Sequence, residues 1–195
     1  MSIVAITVLG IVFVLQLLAK KSHSDFYQSG IFGVIVLCIG VVSVMSYAGY
    51  QSWQQYQTWS TSDVGKFFLP PYESWDYYIL YIRTRFFNAY ALSLLIATIF
   101  LIVAKQYNKK YQERFFNQVE PYLLALGILM VGHPGWIFYG IALALVAWSA
   151  SLFHFWRSGK EYRLPLLYVW LPTAIFIILI GEFLTTLQWW SMLKF

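Results

Sequence analysis

Five ionisable residues are candidates for chemistry because they lie within or at the ends of apolar segments. They are Asp76, Arg83, Arg85, His133 and Glu182. Ionisable side chains at membrane depth are costly, and by default they indicate function. Arginine binds phosphate or carboxylate through two parallel hydrogen bonds, and a nearby glutamate or histidine can act as acid or base. The group therefore predicts a polar pocket for an anionic lipid or a small anion.

The same residues also have a purely structural interpretation. Glu182 would pair with one arginine across the bundle, while the other arginine extends to the lipid headgroups. Arg83 and Arg85 lie about 200° apart around a regular helix, so both cannot face one partner. Asp76 lies two turns before Arg83, which is too far for a direct pair. Both interpretations stay open at the level of the sequence.

The composition defines the elements that must position these residues. The chain has 195 residues, of which 60% are hydrophobic, 21% aromatic and 11% charged. A soluble domain carries about 25% charged residues, and a chain of this size cannot hide so much apolar surface from water. The composition excludes a soluble enzyme, a nucleic-acid reader and a disordered tail. It predicts an all-α integral membrane bundle that forms a single domain over residues 1–195.

The apolar segments predict about six transmembrane helices. A spanning helix needs about 20 mostly apolar residues. The segments are Ser2–Ala19, Ser29–Tyr50, Phe86–Ala104, Pro121–Gly132, Trp136–Phe155 and Leu164–Gln188. The fourth segment would cover only about 18 Å, so it is expected to be short or re-entrant, with five full spans as the alternative. The third helix should begin near Ser74, ahead of its apolar part.

Individual residues refine this picture. Glycines in the second segment predict close helix contacts, and they are Gly30, Gly33, Gly40 and Gly49. Pro172, inside the sixth segment, removes one backbone hydrogen bond, which is consistent with a hinge, although prolines are also common in transmembrane helices without one.

Positive charges predict the orientation. Nine of the 13 Lys and Arg residues fall in the loops after the first, third and fifth segments, namely Lys20, Lys21, Lys105, Lys109, Lys110, Arg114, Arg157, Lys160 and Arg163. Cytoplasmic loops carry the excess of Lys and Arg. Both termini are therefore expected outside the cytoplasm, with the protein in the cell (inner) membrane. This asymmetry also accounts for the net charge of +5, so no nucleic-acid partner is expected.

A long polar and aromatic stretch, Gln51–Asp76, follows the second segment and is predicted to be an extracytoplasmic loop. Its aromatic residues would either form a docking surface or simply lie at the headgroup level, where Trp and Tyr are enriched. The leading hypothesis is a non-catalytic subunit or scaffold that binds membrane lipids, a membrane-protein partner or a second copy through this loop and the adjacent helix ends. The alternative is a lipid- or anion-handling enzyme or transporter built on the five ionisable residues.

The sequence gives little indication of a known cofactor site or protein family. The three histidines, His23, His133 and His154, lie on two sides of the membrane in the predicted topology, so they cannot form a multi-histidine metal or haem site. Neither a metal nor another cofactor is expected. Ile82–Arg85 is similar to a stretch of prepilin peptidases, but Tyr81 and Glu120 stand near the positions of that family's two aspartates. Gly132-His133-Pro134 is similar to a motif of isoprenylcysteine methyltransferases, and Pro134-Gly135-Trp136 to one of tryptophan-rich sensory proteins. Each match lacks the family's other signatures, so the sequence indicates no family.

Overall fold

The computed structural model describes residues 2–22, 26, 29–111, 116–158 and 166–186. It is 87% helical, and within those ranges it contains no strand. The α-helices are α1 (Ser2–Ser22), α2 (Gly30–Thr61), α3 (Trp75–Ile82), α4 (Asn88–Lys110), α5 (Glu120–Val131), α6 (Gly135–Ser158), α7 (Trp170–Leu179) and α8 (Gly181–Thr185). The predicted all-α class is confirmed.

Three helical stretches in the described ranges are long and apolar enough to cross a membrane. They are Gly30–Thr61, Trp75–Lys110 and Gly135–Phe153, the second of which joins α3 to α4 through one π-helical turn. Three other apolar stretches are shorter, namely Ser2–Leu18, Glu120–Val131 and Trp170–Leu179. The long helices indicate a membrane protein.

The short helix α5 occupies the centre of the bundle. It packs against α1, α2, α4, α6 and α7, and ten of its 12 residues are buried. A helix that is apolar on all sides is stable only when its neighbours cover it completely. Pro121 lies in the first turn, where the missing N–H group leaves no hydrogen bond unmade. At 1.5 Å per residue, α5 is about 18 Å long, so the expected shortness of this segment is confirmed.

Two of the predicted contact glycines allow α2 to approach α5 closely. A Cβ atom added at Gly33 would lie 2.5 Å from Cδ2 of Tyr122, and one at Gly40 would overlap the side chain of Leu126. At Gly30 the nearest atom would be 3.9 Å away, and at Gly49 nothing lies within 4 Å. Gly33 and Gly40 therefore set the distance between the helices, whereas Gly49 does not.

The Gln51–Asp76 stretch is not the loop that the sequence predicted. Helix α2 continues 11 residues past Tyr50 and ends at Thr61, and a 3-10 turn at Gly65–Phe68 precedes α3. The 32 residues of α2 correspond to about 48 Å, which exceeds the ~30 Å hydrocarbon thickness of a membrane. The prediction failed because hydropathy detects only the part of a helix that could lie in lipid.

The predicted sixth segment is interrupted at a point other than Pro172. Pro172 lies in the first turn of α7, where its missing N–H group breaks no helical hydrogen bond. The interruption is at Ile180, whose φ of −83° and ψ of 0° separate α7 from α8. Pro172 therefore does not form a hinge within α7, because the helix begins only two residues before the proline.

Candidate functional site

The end of α2 and helix α3 form a structure that we call the aromatic hairpin, residues 51–82. Its two helical arms are held together by a cluster of rings around Trp59. The Trp59 ring lies 4.7 Å from the ring of Tyr81 and 5.4 Å from that of Phe68, measured between centroids. Tyr56 stacks on Trp75 at 6.0 Å. Offset and edge-to-face aromatic pairs each contribute about 0.5–1.5 kcal/mol beyond area burial, so the cluster fixes the angle between the arms.

A buried hydrogen bond reinforces this contact. The hydroxyl of Tyr78, the buried residue of α3, donates to the backbone carbonyl of Ser52 over 2.6 Å. The Ser52 hydroxyl donates in turn to the carbonyl of Ala48, one turn earlier in α2. Ser74 is the N-cap of helix α3, and its side chain accepts a hydrogen bond from the backbone N–H of Tyr77. The predicted start of the third helix is confirmed.

The aromatic hairpin also presents large rings that contact little protein. Trp53 is 58% exposed, Tyr72 61% and Trp75 52%. Phe67 and Tyr72 pair at the tip, with their ring centroids 4.8 Å apart. Exposed rings that are rimmed by amides such as those of Gln54 are typical of interaction surfaces.

Three of the five predicted site residues lie on the arm formed by α3 and the π-helical turn Arg83–Phe87. Asp76 is exposed in the first turn of α3, where its charge suits the helix dipole. Arg83 and Arg85 are exposed on the π-helical turn. Within the ranges that the structure describes, neither guanidinium has a hydrogen-bond or ion-pair partner. Single π-helical turns frequently occur at functional sites.

His133 lies in the turn between α5 and α6 and does not meet the arginines. Its Nδ1 accepts a hydrogen bond from the indole N–H of Trp136 over 3.3 Å, and the imidazole is half-buried. The Trp136 ring also lies 6.2 Å from that of Phe100, in the middle of α4. Phe100 is 15 residues beyond Arg85, about 22 Å along a helix. The structure therefore places His133 well away from Arg85 along α4.

The fifth residue, Glu182, belongs to α8 by its backbone, but its side chain lies outside the described part of the chain. The loop cations Lys160 and Arg163 are also outside it, as are Trp189 and Trp190. The polar pocket therefore stays a prediction. Within the described ranges no group of three or more His, Cys, Asp or Glu residues could hold a metal ion.

Two cavities lie at opposite ends of α5. One, of about 480 Å³, lies beyond its C-terminus and is mostly apolar, with Met130, Ile177 and Leu184 in its wall. The other, of about 490 Å³, lies beside its N-terminus, where Lys105 and Lys109 contribute to the wall. Neither is lined by Asp76, an arginine or His133. In the sequence, the second cavity is marked by the lysines that follow the third apolar segment, but there they indicate only the orientation.

Comparisons of the chain with protein-family models, curated proteins and solved structures found no match.

Proposed function

We propose that this chain is a non-catalytic subunit or scaffold of the cell (inner) membrane that binds a membrane-protein partner through the aromatic hairpin. The observation that carries this proposal is the construction of the aromatic hairpin itself. Its two arms are held by the Trp59 cluster and by the bond from Tyr78 to Ser52, and its outer surface keeps Trp53 and Tyr72 more than half exposed. A rigid surface of amphipathic rings loses little conformational entropy on binding.

The proposed placement in the membrane has about six segments in one domain, with both termini and the aromatic hairpin outside the cytoplasm. The distribution of Lys and Arg supports this orientation. A reporter that is active only outside the cytoplasm, fused after Phe195, should be active. The same reporter inserted in the described α4–α5 connection, next to Asn117, should be silent. The reverse pattern would contradict the orientation.

Photo-crosslinking in intact membranes tests the partner. A photoreactive residue replaces Trp53 or Tyr72, and the matched control replaces Leu145, which is 55% exposed in the middle of α6. We expect a discrete protein adduct from the two hairpin positions and none from Leu145. An adduct of twice the chain mass would identify the partner as a second copy.

Lipid adducts alone at Trp53 and Tyr72 would contradict the proposal, because the rings would then only anchor the aromatic hairpin among the headgroups. Equal protein adducts from Leu145 would also contradict it, since the contact would not be specific to the aromatic hairpin.

The second candidate is a lipid- or anion-handling enzyme or transporter. The observation that favours it is that Arg83 and Arg85, on a π-helical turn, have no hydrogen-bond or ion-pair partner among the described residues. Arg83→Lys and Glu182→Gln distinguish the two candidates in a growth or partner-binding assay. A binding subunit should tolerate both changes and lose activity when Trp53 is replaced by Ser. An anion-handling site should show the opposite pattern, because lysine cannot reproduce a bidentate contact.

A further inference from the structure

The cavity beside the N-terminus of α5 has the composition of an anion site. It lies between the end of α4 and the beginnings of α2 and α5, at the opposite end of α2 from the aromatic hairpin. Its volume is about 490 Å³, and hydrogen-bond donors dominate its polar wall. The polar lining side chains, each of which can donate a hydrogen bond, are Lys105, Gln106, Asn108, Lys109, Gln118 and Tyr122.

Tyr122 orients the first lysine. The Tyr122 ring is 9% exposed and packs so closely on Gly33 that no Cβ atom fits between them. Its hydroxyl accepts a hydrogen bond from Nζ of Lys105 over 2.9 Å. An ammonium group has three donors, so two remain for a ligand. The phenolic O–H of Tyr122 adds a further donor at the same place.

The second lysine, Lys109, adds a further positive charge. Lys109 follows Lys105 by four residues, which places both side chains on one face of α4. Within the described ranges neither lysine forms an ion pair. The buried carboxylate nearby, Glu120, makes interactions of its own and does not line the cavity. Like charges at this spacing repel each other, so an anion between them would be stabilising.

Asn108 fixes the part of the cavity wall that leads into α5. Its side-chain N–H donates to the carbonyl of Phe116 over 2.8 Å, and its side-chain oxygen accepts from the N–H of Phe116 over 3.0 Å. The paired bonds fix the backbone that leads into α5, and with it Gln118 at the rim. The cavity is therefore a preformed structure and does not depend on two mobile lysine chains alone.

The surroundings favour a lipid as the source of the anion. Lys105 directly follows the apolar run Phe86–Ala104, so the cavity falls at the level where hydrocarbon meets headgroups. Ile102 and Val103 are about half exposed on the adjoining turn of α4, where acyl chains would pack. Basic pockets between transmembrane helices commonly bind anionic headgroups.

We propose that this cavity binds the phosphate group of an anionic phospholipid, through Lys105, Lys109 and the hydroxyl of Tyr122. The site is separate from the aromatic hairpin, so it does not depend on the proposed function. Lys110 provides a matched control: it is adjacent to Lys109, carries the same charge and does not line the cavity, and its ammonium group lies over the ring of Tyr111.

The test is native mass spectrometry of the purified full chain with equal amounts of phosphatidylglycerol and phosphatidylcholine. We expect one bound phosphatidylglycerol per chain. A lysine near an anionic headgroup contributes about fivefold in affinity, so Lys105→Gln with Lys109→Gln should weaken binding about 25-fold. Tyr122→Phe keeps the buried ring but removes the hydroxyl that orients Lys105 and that would bind the phosphate. It should therefore weaken binding as well. Lys110→Gln should bind like the unchanged protein.

Lys109→Gln alone guards the test against misfolding, because within the described ranges the Lys109 side chain makes no hydrogen bond or ion pair that the substitution would remove. Equal occupancy by the two lipids would overturn the proposal, as would equal effects of Lys109→Gln and Lys110→Gln. Addition of millimolar inorganic phosphate distinguishes the two sources. Retention of the lipid supports a lipid site, whereas complete displacement would assign the cavity to a free phosphate.

Discussion

Three glycines of helix α2, Gly33, Gly40 and Gly49, provide a graded test of the central packing. At Gly33 an added Cβ would lie 2.5 Å from Cδ2, 2.7 Å from Cγ and 2.9 Å from Cβ of Tyr122. These atoms are at the root of a buried ring and cannot turn away. At Gly40 the overlap is with the ends of flexible side chains, Leu126 and Met130, and at Gly49 the space is open.

The expected free energies follow from these environments. Each Gly→Ala change gains up to about 1 kcal/mol of helix propensity. Overpacking of a rigid contact costs about 1–3 kcal/mol, so Gly33→Ala should be destabilised by up to about 2 kcal/mol net. The free energy of unfolding of Gly40→Ala should be close to that of the unchanged protein, because the flexible ends of Leu126 and Met130 can shift. That of Gly49→Ala should be equal to the unchanged value or higher.

Reversible unfolding in mixed detergent micelles, followed by circular dichroism, measures this order. Equal stability of Gly33→Ala and Gly49→Ala would refute the packing of α2 on Tyr122. A double-mutant cycle with Tyr122→Leu adds a second readout. Removal of the ring should relieve the cost of Gly33→Ala, with a favourable coupling of about 1 kcal/mol. Simple additivity would show that the two residues are not in contact.

Three further substitutions test other parts of the bundle by the same unfolding assay unless stated. Gln16 is 3% exposed, and within the described ranges both polar atoms of its side-chain amide lack a hydrogen-bond partner. Gln16→Leu should therefore stabilise the protein by about 1 kcal/mol, and a loss of stability would contradict this. The buried hydroxyl of Tyr139 donates to the carbonyl of Trp170 over 3.1 Å, so Tyr139→Phe should cost about 1 kcal/mol, while Tyr50→Phe, at an exposed hydrogen bond, should have no effect. Trp59→Leu should separate the arms of the aromatic hairpin and speed hydrogen exchange over residues 51–82, with little change at α5; unchanged exchange would show that the ring cluster does not hold the arms.

Hydropathy and local signals predict the helices that face lipid. The helix start at Ser74, the proline in the first turn of α5 and the contact glycines Gly33 and Gly40 follow from residue type and spacing. These features depend on the nearest few residues or on a single neighbouring helix. They could therefore be predicted without knowledge of the whole bundle.

The features that the sequence did not predict depend on distant partners. The helical continuation of α2 is stabilised by rings on α3, although Ser52, Tyr56 and Trp59 already recur at helical spacing. The separation of His133 from the arginines follows from the short length of α5 relative to α4. The pairing of Lys105 with Tyr122 joins residues 17 positions apart. Such pairings require the three-dimensional arrangement of helices.

The central position of α5 has a consequence for how the chain is assembled during synthesis. Helix α5 has little surface that could face lipid, and it is too short to be retained in the bilayer alone. It packs on helices made before it, such as α2 and α4, and on helices made after it, such as α7. The core therefore closes only when the C-terminal helices leave the ribosome. A chain arrested before Trp170 would present the uncovered side of α5 to membrane chaperones and proteases.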